Sequence, residues 1–127
     1  MTEIHKVLHV EDDPDIREIA YLALAELSGL EVLQCADGAD AISKAEAFAP
    51  DVILLDVMMP GMTGVETLQA IRAQTQVTAP AIFMTSKNIA TEHQEDIKTL
   101  AVGAIQKPFN PVTLPEQIRE MVENASS

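Results

Sequence analysis

The sequence has one cysteine, Cys35, no tryptophan, and an aromatic content of only 3%. A single cysteine cannot form a disulfide within the chain, so disulfide-stabilised folds are excluded. At 127 residues, the chain is long enough to bury a core without disulfide or metal cross-links. We therefore predict one domain over residues 1–127, in which Cys35 is a buried and unreactive thiol.

Long apolar runs are also missing. No stretch approaches the roughly 20 apolar residues that a helix needs to cross a membrane. The N-terminus also lacks the charged start and apolar centre of a signal peptide. The sequence therefore predicts a soluble, cytoplasmic chain that does not insert into a membrane.

Basic residues are few. Eight Lys and Arg stand against 20 Asp and Glu, which gives a formal net charge of −12 at pH 7. This charge disfavours direct binding to nucleic acid or to anionic lipid. Carboxylates brought together from separate segments would instead form a cation site.

Five short apolar segments alternate with helical patterns along the chain. The third segment has four successive apolar residues bounded by Pro50 and by Pro60 and Gly61, which is typical of a parallel strand buried on both faces. Strand–helix pairs joined by short loops predict a doubly wound α/β fold, with one five-stranded parallel sheet and helices on both faces. The predicted strands cover residues 4–10, 31–35, 52–56, 81–84 and 102–106.

The helices are predicted from apolar residues at spacings of three and four and from their capping residues. The first is capped by Asp13, begins at Pro14 and ends at Gly29. Its predicted inward stripe includes Ile19 and Leu27. The other predicted helices are residues 39–49, a helix carrying Val65, Leu68 and Ile71, residues 88–100, and a last helix capped by Asn110 and beginning at Pro111.

The third strand ends on a carboxylate, Asp56. In open α/β sheets, ligands bind at the carboxyl ends of the strands. Polar side chains stand at or just after the ends of four of the predicted strands, and a parallel sheet would bring them to one edge. They are Glu11, Asp12, Asp56, Thr85 and Lys107.

The three carboxylates of this set would repel one another unless a cation lies between them. Mg²⁺ fits best, because it prefers hard oxygen ligands from one or two carboxylates and shares a phosphate oxygen when one is bound. No Cys or His spacing in the sequence supports zinc. The sequence therefore predicts Mg²⁺ as the cofactor.

Four motifs in order resemble the receiver domain of two-component response regulators, over nearly the whole chain. They are Glu11-Asp12, Asp56 followed by Val57-Met58-Met59-Pro60-Gly61, Thr85, and Lys107-Pro108-Phe109. The resemblance implies the strand order 2-1-3-4-5, as in flavodoxin and the chemotaxis receiver CheY. It also implies a cis Lys107–Pro108 peptide bond.

The resemblance implies a role for each site residue. Asp56 would accept a phosphoryl group from a sensor histidine kinase or a histidine phosphotransfer protein. Mg²⁺ would be held by Asp12, Asp56 and the backbone carbonyl of Met58, with Glu11 acting directly or through water. Lys107 and Thr85 would contact phosphoryl oxygens.

The same resemblance implies a single-domain switch with no output domain, which catalyses only its own phosphorylation and dephosphorylation. Its signal would pass to a downstream protein through the 88–100 helix, the fifth strand and the last helix. Receivers usually carry Tyr or Phe three residues before the lysine, and this chain has Ala104 there. The usual aromatic readout is therefore not expected.

Three alternatives stay open. A Mg²⁺-dependent aspartyl phosphohydrolase of the dehalogenase type would need an Asp two residues after the nucleophile, where this chain has Met58. A receiver-like binding module that is never phosphorylated would have the same fold. An FMN-binding flavodoxin-like protein would need a Ser/Thr-rich phosphate loop and flanking aromatic residues.

Among the histidines, His9 is predicted to be a core residue with its hydrogen bonds satisfied.

Overall fold

The computed structural model describes residues 3–86 and 94–126, the last of these by its backbone alone. Five strands form one parallel sheet in the order β2-β1-β3-β4-β5. The predicted strand order and parallel pairing are therefore confirmed. The strands are β1 (Lys6–Val10), β2 (Glu31–Cys35), β3 (Val52–Asp56), β4 (Ala81–Thr85) and β5 (Gly103–Gln106).

Helices cover both faces of the sheet, as the doubly wound fold requires. The helix predicted over residues 39–49 is displaced by one residue at each end, which is within the usual spread of helix ends, whereas the first and last helices differ more. The helices are α1 (Pro14–Tyr21), a π-helix (Leu22–Glu26), α2 (Gly38–Phe48), α3 (Gly64–Gln74), α4 (Gln94–Leu100) and α5 (Leu114–Ser126). The predicted 88–100 helix is seen from Gln94 onward, and its start lies outside the described residues.

Strand β3 lies at the centre of the sheet, and all five of its residues are buried. Ile53 and Leu55 pack on one face, in the core beneath α2, α3 and α4. Leu54 packs on the other face, in the core beneath α1 and α5. Each fully buried side chain of this size contributes about 1.5–3 kcal/mol of hydrophobic stabilisation, so the strand that ends in Asp56 is firmly held.

The prediction of one continuous first helix with Ile19 and Leu27 facing the sheet is wrong. Leu27 N donates to the Leu22 carbonyl at 2.9 Å, which is the spacing of a π-helix. The extra residue rotates the following chain by about 100°, so that Leu27 is 67% exposed. Ile19 lies on the flank of α1 and is 44% exposed, while Ala20 and Leu24 are buried against the sheet.

The last helix begins at Leu114 rather than at Pro111. Asn110 Oδ1 accepts a hydrogen bond from Val112 N at 2.9 Å, and the Asn110 carbonyl accepts from Leu114 N at 3.0 Å. The asparagine therefore stabilises a turn over residues 111–113, as Asn side chains commonly do. Within the described ranges, no helix is long and apolar enough to cross a membrane.

Candidate functional site

Three carboxylates meet at the carboxyl edge of the sheet. Asp56 ends β3, and Glu11 and Asp12 follow β1, which is the neighbouring strand. Each residue offers one carboxylate oxygen, and these oxygens lie within 4.8 Å of one another. Glu11 and Asp56 are buried, whereas Asp12 is open to solvent. Carboxylate oxygens this close are suited to holding one divalent cation.

Lys107 supplies a positive charge to this cluster. Its Nζ lies 2.9 Å from Asp56 Oδ2 and 3.5 Å from Glu11 Oε1. The Lys107–Pro108 bond is cis, as predicted. Lys107 N also donates to the Thr85 carbonyl at 2.9 Å, which holds the end of β5 against β4. The lysine thus reaches Asp56 from a backbone anchored to the sheet.

Burial and mutual repulsion shift the ionisation of this cluster. Burial, followed by the charge of Asp56, raises the pKa of Glu11 to about 7. Burial lowers the pKa of Lys107, but its hydrogen bond to Asp56 and the charges of Asp56 and Glu11 outweigh that effect, so the pKa is raised. Lys107 therefore stays charged at neutral pH, while Glu11 titrates near neutrality.

The backbone after Asp56 is fixed by α3. Gly64 N donates to the Val57 carbonyl at 2.8 Å. A Cβ on Gly64 would clash with the Asp56 carbonyl oxygen, so the close approach of α3 to the strand end requires glycine. Met58 lies in the loop between them with its side chain 49% exposed. The role of its carbonyl as a metal ligand stays a prediction.

A capping box fixes the start of α3 beside the site. Thr63 Oγ1 accepts from Glu66 N at 3.1 Å, and Glu66 Oε1 accepts from Thr63 N at 2.9 Å. This reciprocal pairing satisfies two amide groups at the helix start. The sequence Thr63-Gly64-Val65-Glu66 carries the signature of this motif, which the analysis of the sequence missed.

Thr85 reaches the correct edge but does not join the carboxylate cluster. It ends β4 and is buried, and its hydroxyl donates to the Ser86 carbonyl at 2.9 Å. A contact with a phosphoryl oxygen would require this hydroxyl to turn away from Ser86. Ala104, on β5, pairs with Phe83 of β4 in the sheet register and packs against the core.

Arg17 is a site residue that the sequence analysis did not identify. Its Nη1 donates to the carbonyl of Glu11 at 2.8 Å and to that of Asp12 at 3.0 Å. Gln34 Nε2, on β2, donates to the Arg17 carbonyl at 2.8 Å. One signal was present in the sequence, because Arg17 is the only Lys or Arg between Lys6 and Lys44 and lies four residues after Asp13, the last of three consecutive acids.

His9 is buried as predicted, but its hydrogen bonds are only half satisfied. Its Nδ1 lies 3.1 Å from Gln34 Nε2, and its Nε2 has no partner within the described part of the chain. Burial, followed by the charges of Lys107 and Arg17, lowers the pKa of His9 to about 3. The ring is therefore neutral at physiological pH. Cys35 is also buried as predicted, and burial raises the pKa of its thiol to about 12.

An apolar cleft lies beside the cluster, between α1 and the loop that follows β5. Its volume is about 480 Å³. Lys107 lines the cleft, and its Nζ contacts Asp56. The cleft is lined by Ile16, Ile19, Lys107, Pro108, Phe109 and Pro111.

The family model of the response regulator receiver domain matches residues 7–119. This chain belongs to the response regulator receiver domain family. The predicted membership is therefore confirmed. Response regulators receive phosphoryl groups from histidine kinases, and their receiver domains typically bind Mg²⁺.

Solved and curated relatives agree with this assignment. The chemotaxis protein CheY4 of Vibrio cholerae superposes with a TM-score of 0.84 at 36% identity, over 94% of this receiver and 99% of that chain. The transcriptional regulatory protein CseB of Streptomyces avermitilis is 35% identical over 122 residues, which are 96% of this chain and 51% of CseB.

A third relative is the DNA-binding response regulator MtrA of Mycolicibacterium smegmatis. It is 30% identical over 114 residues, which are 90% of this chain and 49% of MtrA. The receiver described here thus spans about half the length of the curated relatives that it matches.

Proposed function

We propose that this receiver accepts a phosphoryl group on Asp56 in a Mg²⁺-dependent reaction and thereby acts as a signalling switch. The observation that carries the proposal is the meeting of Asp56 with Glu11, Asp12 and Lys107 at one sheet edge. Phosphoryl transfer depends mainly on positioning and on neutralising charge at the phosphoryl oxygens. This cluster offers a carboxylate acceptor, a cation site and a fixed ammonium in one place.

The donor set of the cluster fits Mg²⁺. Its candidate ligands are hard carboxylate oxygens, and the pKa of Glu11 is raised first by burial and then by the negative charge of Asp56. Asp12, Asp56 and the Met58 carbonyl would hold the ion, with Glu11 acting directly or through water. When bound, Mg²⁺ supplies positive charge to the phosphoryl oxygens and the carboxylates.

The residues of the chain then divide the work on the phosphoryl group. A carboxylate oxygen of Asp56 forms the new bond to phosphorus while the bond to the donor breaks, which leaves an acyl phosphate. The ammonium of Lys107, now 2.9 Å from Asp56 Oδ2, is placed to donate to a phosphoryl oxygen. The Thr85 hydroxyl would leave the Ser86 carbonyl and donate to a second phosphoryl oxygen. The conformational change would then begin at the end of β4.

A sensor histidine kinase or a histidine phosphotransfer protein is the proposed donor. The apolar cleft along α1 supports this, because it adjoins Lys107 at the acceptor and could seat the helix that bears the donor histidine. The output surface is proposed to be the 88–100 helix, β5 and α5, of which residues 88–93 lie outside the described part of the chain. A single-domain receiver acting in the cytoplasm stays a prediction.

The proposal is tested by incubating the protein with acetyl phosphate and Mg²⁺ and measuring intact mass. One added phosphoryl group is expected, stable in acid and labile to hydroxylamine, as for an acyl phosphate. Asp56→Asn should abolish it, and chelation of Mg²⁺ should do the same. A parent protein that gains no phosphate would favour the unphosphorylated binding module, and full labelling of Asp56→Asn would overturn the assignment of Asp56.

A further inference from the structure

The loop after β1 contains three consecutive acids, Glu11, Asp12 and Asp13, whose side chains do different work. The side chain of Glu11 points into the carboxylate cluster beside Lys107, and Asp12 contributes an oxygen to the same cluster. Asp13 instead caps α1, and its Oδ1 accepts from Asp15 N at 2.8 Å and from Ile16 N at 3.3 Å. The backbone of this loop must therefore hold its acids in different directions.

Arg17 is the side chain that fixes this backbone. One nitrogen, Nη1, donates to both the Glu11 carbonyl at 2.8 Å and the Asp12 carbonyl at 3.0 Å. Gln34 in turn binds the Arg17 carbonyl at 2.8 Å, so the start of α1 is tied to β2 as well. The planar guanidinium presents its donors in a fixed geometry, and here both acceptors belong to the loop that carries the candidate metal ligands.

The direction of the guanidinium matters as much as its presence. A cation beside three carboxylates would ordinarily pair with them and occupy their oxygens. In the described ranges, however, Arg17 forms no ion pair with a carboxylate, and its guanidinium donates to backbone carbonyls. Arg17 therefore does not occupy the carboxylate oxygens of Glu11 and Asp12; Glu11 Oε2 accepts from Asp13 N at 3.2 Å, and Glu11 Oε1 lies 3.5 Å from Lys107 Nζ.

We propose that Arg17 is a positioning residue for the Mg²⁺ site, acting by holding the carbonyls of Glu11 and Asp12. This inference rests on the proposed metal site and adds the residue that sets its geometry. Partners that orient metal ligands typically change metal affinity by about 10–100-fold when they are removed. A positioning role therefore predicts weaker Mg²⁺ binding when Arg17 loses its donors.

A purely electrostatic role for Arg17 predicts the opposite sign. Removing a positive charge near the site would reduce repulsion of Mg²⁺ and would tighten its binding. Arg17→Met removes the charge and the donors together but keeps an unbranched side chain. The sign of the change in Mg²⁺ affinity therefore separates positioning from a simple charge effect.

Arg72 gives a matched control at the opposite edge of the sheet. Its guanidinium also donates to two backbone carbonyls, those of Val77 and Ala79. Arg72→Met thus loses the same charge and the same kind of contact, away from the carboxylate cluster. Any effect of general loosening of the fold should appear in both variants.

The experiment is a calorimetric titration of each variant of the 127-residue chain with Mg²⁺ alone, supported by amide NMR shifts of residues 11–13. Arg17→Met is expected to raise the dissociation constant about tenfold, and Arg72→Met to leave it within about twofold. Arg17→Lys keeps the charge, but its shorter side chain places the ammonium differently from Nη1, so its dissociation constant should fall between those of Arg17→Met and the parent.

Each outcome decides the question. Unchanged or tighter binding in Arg17→Met overturns the proposal, and so does an equal loss in Arg17→Met and Arg72→Met. If Arg17→Met does not fold, Arg17→Lys takes its place, and a parental dissociation constant there also overturns it. A parent protein that binds no Mg²⁺ would contradict the proposed metal site itself, which is a separate failure.

Discussion

Two carboxylates bracket strand β3, and their surroundings differ. Asp51 precedes the strand, and its Oδ2 accepts from the backbone amides of His5 and Lys6 at 2.8 and 2.9 Å. Asp56 ends the strand and faces Glu11 and Lys107. Asp51 thus accepts two hydrogen bonds from fixed backbone amides and joins β1 to β3. Asp56 is instead left among ionisable side chains, which is the setting that a reacting group requires.

The lysines at the two ends repeat this contrast. Lys6 Nζ donates to the Phe48 carbonyl at 2.7 Å and lies 5.0 Å from the centre of the Phe48 ring. Within residues 3–86 and 94–126, Lys107 Nζ donates to two side-chain carboxylates, those of Glu11 and Asp56. Backbone and ring partners make Lys6 structural, whereas the carboxylate partners of Lys107 can be replaced when a phosphoryl group arrives.

The largest effect is expected from removing the ammonium at the functional end. Lys107→Met should slow phosphorylation by acetyl phosphate by about a few hundredfold, because one fixed donor to developing charge is commonly worth about 10²–10³ in rate. Lys6→Met, at the other end, should leave the rate nearly unchanged. Initial rates from intact-mass measurements at saturating Mg²⁺ check both variants. Equal rates would contradict the assignment of a functional role to Lys107 and a structural role to Lys6.

Glu11 should make the stability of the metal-free protein depend on pH. Its pKa is about 7 in the folded state against 4.5 ordinarily, so the folded state binds more protons between these values. The free energy of unfolding therefore falls as pH rises from about 4.5 to 7, by on the order of 3 kcal/mol. Urea unfolding in EDTA should show this slope in the parent and lose it in Glu11→Gln. A slope that persists in Glu11→Gln would assign the titration to another group.

Asp51→Ala should weaken the fold without touching the chemistry. It removes two hydrogen bonds from backbone amides to a carboxylate, and we expect a loss of about 2 kcal/mol in the free energy of unfolding. The phosphorylation rate at Asp56 should stay at the parental value under folding conditions. Thermal unfolding and labelling of the same sample measure both, and a change in labelling rate would show that the two ends of β3 are coupled.

The smallest effect concerns the lifetime of the acyl phosphate. Met58 stands two residues after Asp56 with a half-exposed side chain, and a thioether cannot orient a water by a strong hydrogen bond. Met58→Asn should therefore speed phosphate loss several-fold. Adding Lys87→Glu, at a position outside the described residues, should bring the change to about tenfold, or about 1.4 kcal/mol.

The control for this experiment is Leu27→Asn, which adds the same amide to an exposed position on the π-helix side of the chain. It should lose phosphate at the parental rate. If Met58→Asn and the double variant also keep the parental rate, the lifetime is set by groups other than those beside Asp56.

The fold and the carboxylate cluster could be predicted because they depend on apolar runs and on residue positions at strand ends, both of which are visible in the sequence. The four apolar residues before Asp56 required burial on both faces, and parallel strands bring their ends together. Four of the predicted side chains therefore lie together at the carboxyl edge of the sheet: Glu11, Asp12, Asp56 and Lys107. Thr85 reached the same edge, but the direction of a hydroxyl depends on local hydrogen bonds that strand position does not specify.

Three other features have only a weak sequence signal or none: the π-helix, the turn after Asn110 and the backbone contacts of Arg17. Residues 21–27 are so rich in Ala and Leu that they fit an α-helical register and a π-helical one, so Leu27 was placed on the wrong face. Asn110 could cap a helix or a turn, and only the chain geometry decides between them. The contact of Arg17 with two carbonyls has no motif, because backbone acceptors are the same at every residue.

The burial of Cys35 has a practical consequence for experiments on this receiver. The thiol is 1% exposed and, with a pKa of about 12, holds almost no thiolate at neutral pH, and the thiolate is the reactive form. A cysteine introduced at an exposed position such as Val112, which is 81% exposed, would therefore be the one that a maleimide dye modifies in the folded protein. Fluorescent reporters can thus be attached at chosen points around the cleft without first removing the native thiol.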